Sequence, residues 1–255
     1  MVLPVLQSRR FPVTRGKEWT VVLVLVALSV GCADTGTCPK VTEPDQGPSE
    51  ESQLITICLT GNLTAPQYIA KNIEEELQII RRDFAVQCSV ATEITFCPPW
   101  RPSSIILLVD NETARAIEES SYTAWDTLNT EYRVTSIDVR SIDIGMCVLY
   151  FSGILHPRQL AHIYAELPGV EFVETDEAMG DFPNIYPGIV DILRTYLFRD
   201  AWGDCSCGCI HSRYWYFRAY HGVVAFIGAW NPDADPEEPS WWDEAHRNIE
   251  QYDSW

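Results

Sequence analysis

Residues 19–30, WTVVLVLVALSV, form an apolar run that ends at Gly31-Cys32 and stands behind Arg9, Arg10, Arg15 and Lys17. A positive flank, a short apolar segment and a small residue at its end are the parts of a secretory signal. Crossing a hydrocarbon core of roughly 30 Å as a helix takes about 20 apolar residues, so the run is too short for a span. This feature constrains the fold in two ways. It assigns residues 1–31 to a signal peptide that is removed, and it places the rest of the chain in an oxidising compartment.

The chain of 255 residues carries a net −18, and its first 31 residues carry +3, which leaves −21 on residues 32–255. A surface that acidic repels a phosphate backbone, so nucleic acid is not expected as a partner. It also lacks a polybasic hold on anionic lipid, so membrane attachment is expected through the N-terminus alone. A hydrophobic content of 46% with 11% aromatic residues is that of a folded protein, and the length suits one large domain with appendages.

The junction Leu28-Ser29-Val30-Gly31-Cys32 resembles the lipobox of bacterial lipoproteins. Val30 and Gly31 match the two positions before the modified cysteine. Ser29 stands where that family usually has Leu, with Leu28 beside it. The resemblance implies cleavage before Cys32, a diacylglyceryl group on its sulfur and an acyl-capped N-terminus. It therefore implies an exported lipoprotein, held by its lipid on the periplasmic face of a membrane or at the cell surface. Ordinary signal-peptidase cleavage nearby is the alternative. Residues 32–52, rich in Pro, Gly, Ser, Thr and acid, read as a flexible tether between lipid and domain.

Eight cysteines follow the anchor: Cys38, Cys58, Cys88, Cys97, Cys147, Cys205, Cys207 and Cys209. An even number in an exported chain predicts disulfides. The segment Asp204 to His211 (DCSCGCIH) concentrates the chemistry. Cys205–Cys209 is the expected local bridge, with Gly208 easing the closure and Cys207 pairing with a distant partner such as Cys147. Cys205, Cys207, Cys209 and His211 could instead surround a tetrahedral zinc, or the thiols could be redox-active. The strict two-residue intervals differ from a C-x2-C knuckle, so no metal or other cofactor is expected.

Residues 53–230 are expected to form the α+β body, with residues 54–175 a sandwich and 190–230 a β-meander. Leu54–Leu59 is short, apolar and β-branched, and reads as a first strand. Thr64 and Pro66 suit a helix start, and Ile69, Ile73, Leu77, Ile80 and Phe84 give an amphipathic helix over 65–85. Ile105–Val109 reads as a buried central strand. Asp110 or Asn111 caps the next helix, and Trp125, Leu128 and Tyr132 face inward on a second. Alternation over 135–151, with a bend near Arg140-Ser141, predicts strand. Pro157 opens a helix that Pro168-Gly169 stops, and residues 170–174 add a strand. That order favours helices on one face of a mainly antiparallel sheet, a ferredoxin-like sandwich stabilised by disulfides. Tyr214 to Tyr220 alternate with aromatic residues on both faces. They read as the core of the meander, with a carbohydrate- or peptide-stacking platform as the functional alternative. His221-Gly222 makes a tight turn. Residues 231–255 form an acidic, Trp-rich tail with a short helix capped by Ser240, docking Trp241 or Trp242.

Two further resemblances concern the body. Residues 159–176 (QLAHIYAELPGVEFVETD) are similar to the end of the subtilisin-type propeptide and inhibitor module, where a helix, a PGV turn and a V-E-x-D strand precede a protease-binding tail. That resemblance implies a ferredoxin-like sandwich and, as an alternative function, protease inhibition. Tyr122–Asn129, the helix–PGV segment, Asn184-Ile185-Tyr186 and the stretch Trp202–Phe217 together resemble uncharacterised lipoproteins of delta-type proteobacteria. It implies no activity.

No G-x-S-x-G elbow, H-E-x-x-H pair, glycine-rich phosphate loop or EF-hand loop occurs. His156, His162, His211, His221 and His246 are scattered, and surface or capping roles are expected for them. The expected function is a structural or binding role at a membrane surface, with an unknown protein or glycan partner and without enzymatic activity. A metal-dependent or redox enzyme using the Cys205–His211 segment is the remaining alternative.

Overall fold

Ser49 caps one end of Glu50–Thr60 by accepting a hydrogen bond from the Ser52 amide, and Gly61 closes the other at φ 64°. Between these caps the chain is helix α1, where a strand was expected. The apolar run misled because Leu54, Ile55, Ile57 and Cys58 are all buried, which leaves no polar stripe to show a helical period. The helix also takes up residues 50–52 from the expected tether. The structure is a computed structural model, and it describes residues 47–177, 181–203 and 208–255. Cys32, Cys38, Cys205 and Cys207 lie outside the described residues.

Helix α2 (Gln67–Asp83) begins after Pro66, which takes the cap position expected of Thr64, and buries Ala70, Ile73, Leu77 and Ile80. The guanidinium of Arg81 holds α1, α2 and the following loop together. It donates to both oxygens of Glu51 at 2.7 and 2.9 Å, to Ala91 O and to Ile94 O.

The first sheet contains β1 (Trp100–Val109), β2 (Val134–Ser141), β3 (Met146–Phe151) and β4 (Val170–Glu177). Its order is β2-β3-β1-β4 with every pair antiparallel. Helices α3 (Asn111–Glu118) and α4 (Asp126–Glu131) connect β1 to β2, and α5 (Pro157–Ala165) connects β3 to β4. Asp110 caps α3 as expected, accepting from Thr113 N at 2.7 Å. One core lies between the helices and one sheet face: Ile105, Leu107, Cys147, Leu149 and Phe151 against Ala114, Trp125, Leu160 and Tyr164. Gly145 turns the β2–β3 hairpin at φ 64°, and a Cβ there would stand 1.8 Å from Val109 O.

The second sheet is a meander of four strands: β5 (Asn184–Val190), β6 (Leu193–Trp202), β7 (His211–Tyr220) and β8 (Val223–Trp230), in that order. Strand β5 lies ahead of residues 190–230, where the meander was expected. Pro187 is accommodated because β5 is an edge strand, where no outer neighbour needs its missing N–H. On one face Ile185, Tyr196, Phe198, Trp215 and Phe217 pack on α1 and α2. On the other face Tyr186, Leu197 and Tyr216 meet α6 (Trp242–Asp253). Two glycines admit that helix segment. A Cβ at Gly188 would stand 2.1 Å from Asn248 Oδ1, and one at Gly228 would stand 2.4 Å from Trp241 Nε1. The fold is thus α+β, with two antiparallel four-stranded sheets and, among the described residues, six helices.

Candidate functional site

Four of the cysteines expected in disulfides are free thiols: Cys58, Cys88, Cys97 and Cys147. Cys147 is separated from Cys58 and Cys88 by its place in the fold. Cys147 faces the core of the first sheet beside Leu149, whereas Cys58 and Cys88 lie in the separate core under the second. Burial raises the Cys88 thiol to about 12 and the Cys147 thiol to about 11, so these side chains act as small apolar groups. Cys209 is disulfide-bonded, and its partner is not among the described residues. His211 faces Asp233, with Nδ1 2.8 Å from Oδ2, and stacks on Trp202 with ring centroids 5.6 Å apart. Among the described residues, no three His, Cys, Asp or Glu side chains are grouped to hold a metal ion.

A cleft between the C-terminus and β5 gathers Cys97, Asp181, Asn184, Tyr186, Tyr252 and Asp253 around about 150 Å³. Its polar groups are engaged with one another. Both Asp181 oxygens accept from Arg199, and Asp181 also accepts from Cys209 N at 2.8 Å. The Arg199 guanidinium holds the Asp181 carboxyl below the usual range. Asn184 binds Cys97 N and O, and Tyr252 OH donates to Cys97 O at 2.8 Å. Burial raises the Cys97 thiol, which is the opposite of nucleophile activation. The arrangement serves to tie α6, β5 and β6 together.

Trp215, Tyr216 and Phe217 of β7 are core on both faces, whereas Tyr220 at its end is exposed. Trp215 and Phe217 are buried against the helical layer, and Tyr216 stacks under Trp241 at 5.5 Å. Tyr214 lies against Trp230 and Trp242 at 5.9 and 4.8 Å. Tyr214 and Tyr216 are thus covered by Trp242 and Trp241 at the start of α6.

The first sheet is different, because α3, α4 and α5 all pack on one face and Ile106, Leu108, Met146, Tyr150 and Phe172 of the other keep contact with solvent. On that open face the register aligns Phe172, Leu108 and Met146 in one row, and Glu174, Ile106, Val148 and Asp138 in the next. Ser104, Tyr150 and Ser136 form a third. Phe172 is 53% exposed, whereas Val148 at the centre is sheltered by its neighbours. The polar end satisfies itself: Ser104 Oγ donates to Asp176 at 3.0 Å, and Arg140 donates to Tyr150 OH at 2.9 Å and pairs with Asp138 at 3.0 Å. The apolar end has no such internal partners. Reading Ile105–Val109 as a run buried on both sides concealed this surface. Glu174 of β4, which shares the face of Phe172, was the signal that one side faces water.

The segment compared with the propeptide module is α5, the Pro168-Gly169 turn and β4. Tyr122 OH and Trp125 Nε1 both donate to Pro168 O, at 2.7 and 3.1 Å, which locks the turn to the α3–α4 connection. Here β4 ends at Glu177 and β5 of the next sheet starts at Asn184, so the strand does not lead into a terminal tail. No protein-family model matches the chain, and comparison with curated proteins and with solved structures gives no match.

Proposed function

We propose that this chain is an exported lipoprotein, acylated at Cys32, whose body binds a protein partner on the open face of the first sheet. The anchor rests on the basic flank, the short apolar run and the Val30-Gly31-Cys32 ending. The observation that carries the binding role is the unequal covering of the two sheets. The second sheet has a helical layer on each face, whereas Phe172, Leu108, Met146 and Ile106 of the first keep their solvent contact. A row of apolar side chains flanked by Glu174 and Asp138 is a docking strip with a polar rim. The strand order β2-β3-β1-β4, with both crossing connections running through helices, supports a ferredoxin-like sandwich as the support of that strip.

Two measurements test this reading. Radiolabelled palmitate should enter the wild-type chain and not Cys32→Ala. A photoreactive amino acid at position 172 or 106 should give a discrete protein adduct in the producing cells, while the same probe at the 93% exposed Val86 should not. Equal labelling at the strip and at position 86 would remove the binding role, and palmitate on Cys32→Ala would remove the anchor.

A further inference from the structure

Trp202 and Ile210 are exposed at one end of the second sheet, and a larger set of exposed apolar side chains gathers at the other. Ile189, Ile192, Tyr220 and Val223 are 51%, 73%, 44% and 71% exposed, and all four lie in or beside its two hairpin turns. The turns are adjacent. Val190 pairs with Leu193, Tyr220 pairs with Val223, and Arg194 pairs with Ala219 between them. Ile192, Tyr220 and His221 line one shallow depression of about 360 Å³ with Asn72 and Arg194. Tyr68, 71% exposed, lies one helical turn before Asn72 on the same side of α2. Five of the eleven large apolar side chains exposed among the described residues therefore share this end, which is too many for scattered surface exposure. Its shape also matters. The residues project singly from tight turns, with φ 57° at Asp191, 48° at His221 and 77° at Gly222. They form a set of points rather than a groove that would receive a peptide.

The charge at this end departs from that of the chain. The ionisable side chains lining the two depressions beside the turns are Arg194, His221, Asp191 and Arg247. Arg194 is paired with the buried Glu76, and Asp191, the one acid among these lining residues, shares its depression with the exposed Arg247. In an acidic chain the lining of these two depressions is thus without acid excess, and its aliphatic tips are flanked by tyrosines. Aliphatic side chains with Tyr at their border are suited to the boundary between lipid headgroups and acyl chains.

We propose that the two hairpin turns, 189–193 and 220–223, dip into the lipid surface to which Cys32 is attached. The inference rests on the anchored reading for its location, since the lipid would bring these tips within reach of a bilayer. The tether permits the pose. Helix α2 runs from Asn72 beside the tips to Phe84 beside Phe217, and Glu51 at the start of α1 is paired with Arg81 near the end of α2. The described chain therefore begins at the far end of α2, whose 17 residues span about 25 Å. The 14 residues between Cys32 and Gly47 make 15 chain steps that reach at most about 50 Å, enough to run from the bilayer to that start with the tips down.

The test uses the full chain reconstituted in vesicles of phosphatidylethanolamine and phosphatidylglycerol, with a photoreactive diazirine side chain at position 192, 223 or 86. Lipid adducts are expected at 192 and 223, at least tenfold above position 86. A separate Ile192→Asp/Val223→Asp variant of the Cys32→Ala chain should float with vesicles at least tenfold less than Cys32→Ala alone, with an unchanged melting curve. Tip probes that label lipid no better than position 86 would overturn the proposal, as would undiminished flotation of the aspartate variant. The two readings fail separately. Palmitate incorporation without tip adducts refutes the docking alone, and tip adducts without palmitate refute the anchor alone.

Discussion

Acid should destabilise this protein through one buried imidazole. His156 is 5% exposed at the start of α5, its ring lies 5.2 Å from that of Trp100, and its Nδ1 has no hydrogen-bond partner. Burial, with a smaller contribution from Arg158, lowers its pKa from 6.5 to about 4. The folded chain therefore refuses a proton that the unfolded chain accepts below pH 6.5. Between pH 6.5 and 4 the unfolded state binds more protons, so stability is full above 6.5 and falls as the pH falls. At about 1.4 kcal/mol per pKa unit, the whole window is worth about 3 kcal/mol. That is a large share of the roughly 5–15 kcal/mol typical of a domain. Urea unfolding at pH 7.0, 6.0, 5.0 and 4.5 should show the midpoint falling through this range with an unchanged slope. His156→Phe keeps the ring packing on Trp100, removes the titrating group and loses no cap, since the His156 side chain makes no capping bond. It should flatten the dependence across the window. Parallel pH curves for the two proteins would refute the reasoning.

Other expectations follow from the same burial. Glu76 is fully buried and accepts from Arg194 at 2.7 Å and from Tyr196 OH at 2.7 Å, so Glu76→Gln should cost about 3–5 kcal/mol by urea unfolding. The Arg82–Asp83 pair is exposed and screened by solvent, so Asp83→Asn should leave the urea midpoint unchanged. Gly188→Ala would drive a methyl into Asn248, whose Nδ2 donates to Tyr186 O at 2.9 Å and to Thr195 Oγ1 at 3.0 Å. Displacement of α6 should appear as a shift in Trp241 and Trp242 fluorescence and a stability loss of about 1–3 kcal/mol. Iodoacetamide without reductant should label Cys58, Cys88 and Cys147 in urea and leave them unlabelled in the native protein, as read by peptide mass spectrometry.

What could be read from the chain depended on whether an element has a wet side. Helix α2 alternates a buried row, Ile73, Leu77 and Ile80, with charged residues, so its period was visible. Helix α5 was announced by Pro157 at its first turn. In α1 that contrast is missing, and the caps Ser49 and Gly61 were the remaining signs. Strand β5 hid behind Pro187-Gly188, a pair that reads as a turn. Gly188 is required there by Asn248, 60 residues later, and no local pattern carries that information. The open face was obscured for the converse reason. A central strand with apolar residues on both sides looks fully buried, and only the register with Glu174 and Asp138 shows which side meets water.

The cysteines show how a count can mislead where position does not. Parity and an exported chain together favoured bridges for all eight. Yet Cys147 alternates with Leu149 and Phe151 on the inward side of β3, and Cys58 sits one turn after Leu54 on a buried helix. A cysteine at such a position is held by packing, and a bridge would require its partner in the same core at the right Cα separation. Export does not oxidise a thiol that reagents cannot reach, because exchange proceeds through an accessible thiolate and burial suppresses both access and ionisation. Buried free thiols and an oxidising compartment are thus compatible. Cys209, with its amide on Asp181 and a disulfide of its own, stands apart as the one described cysteine whose role is covalent.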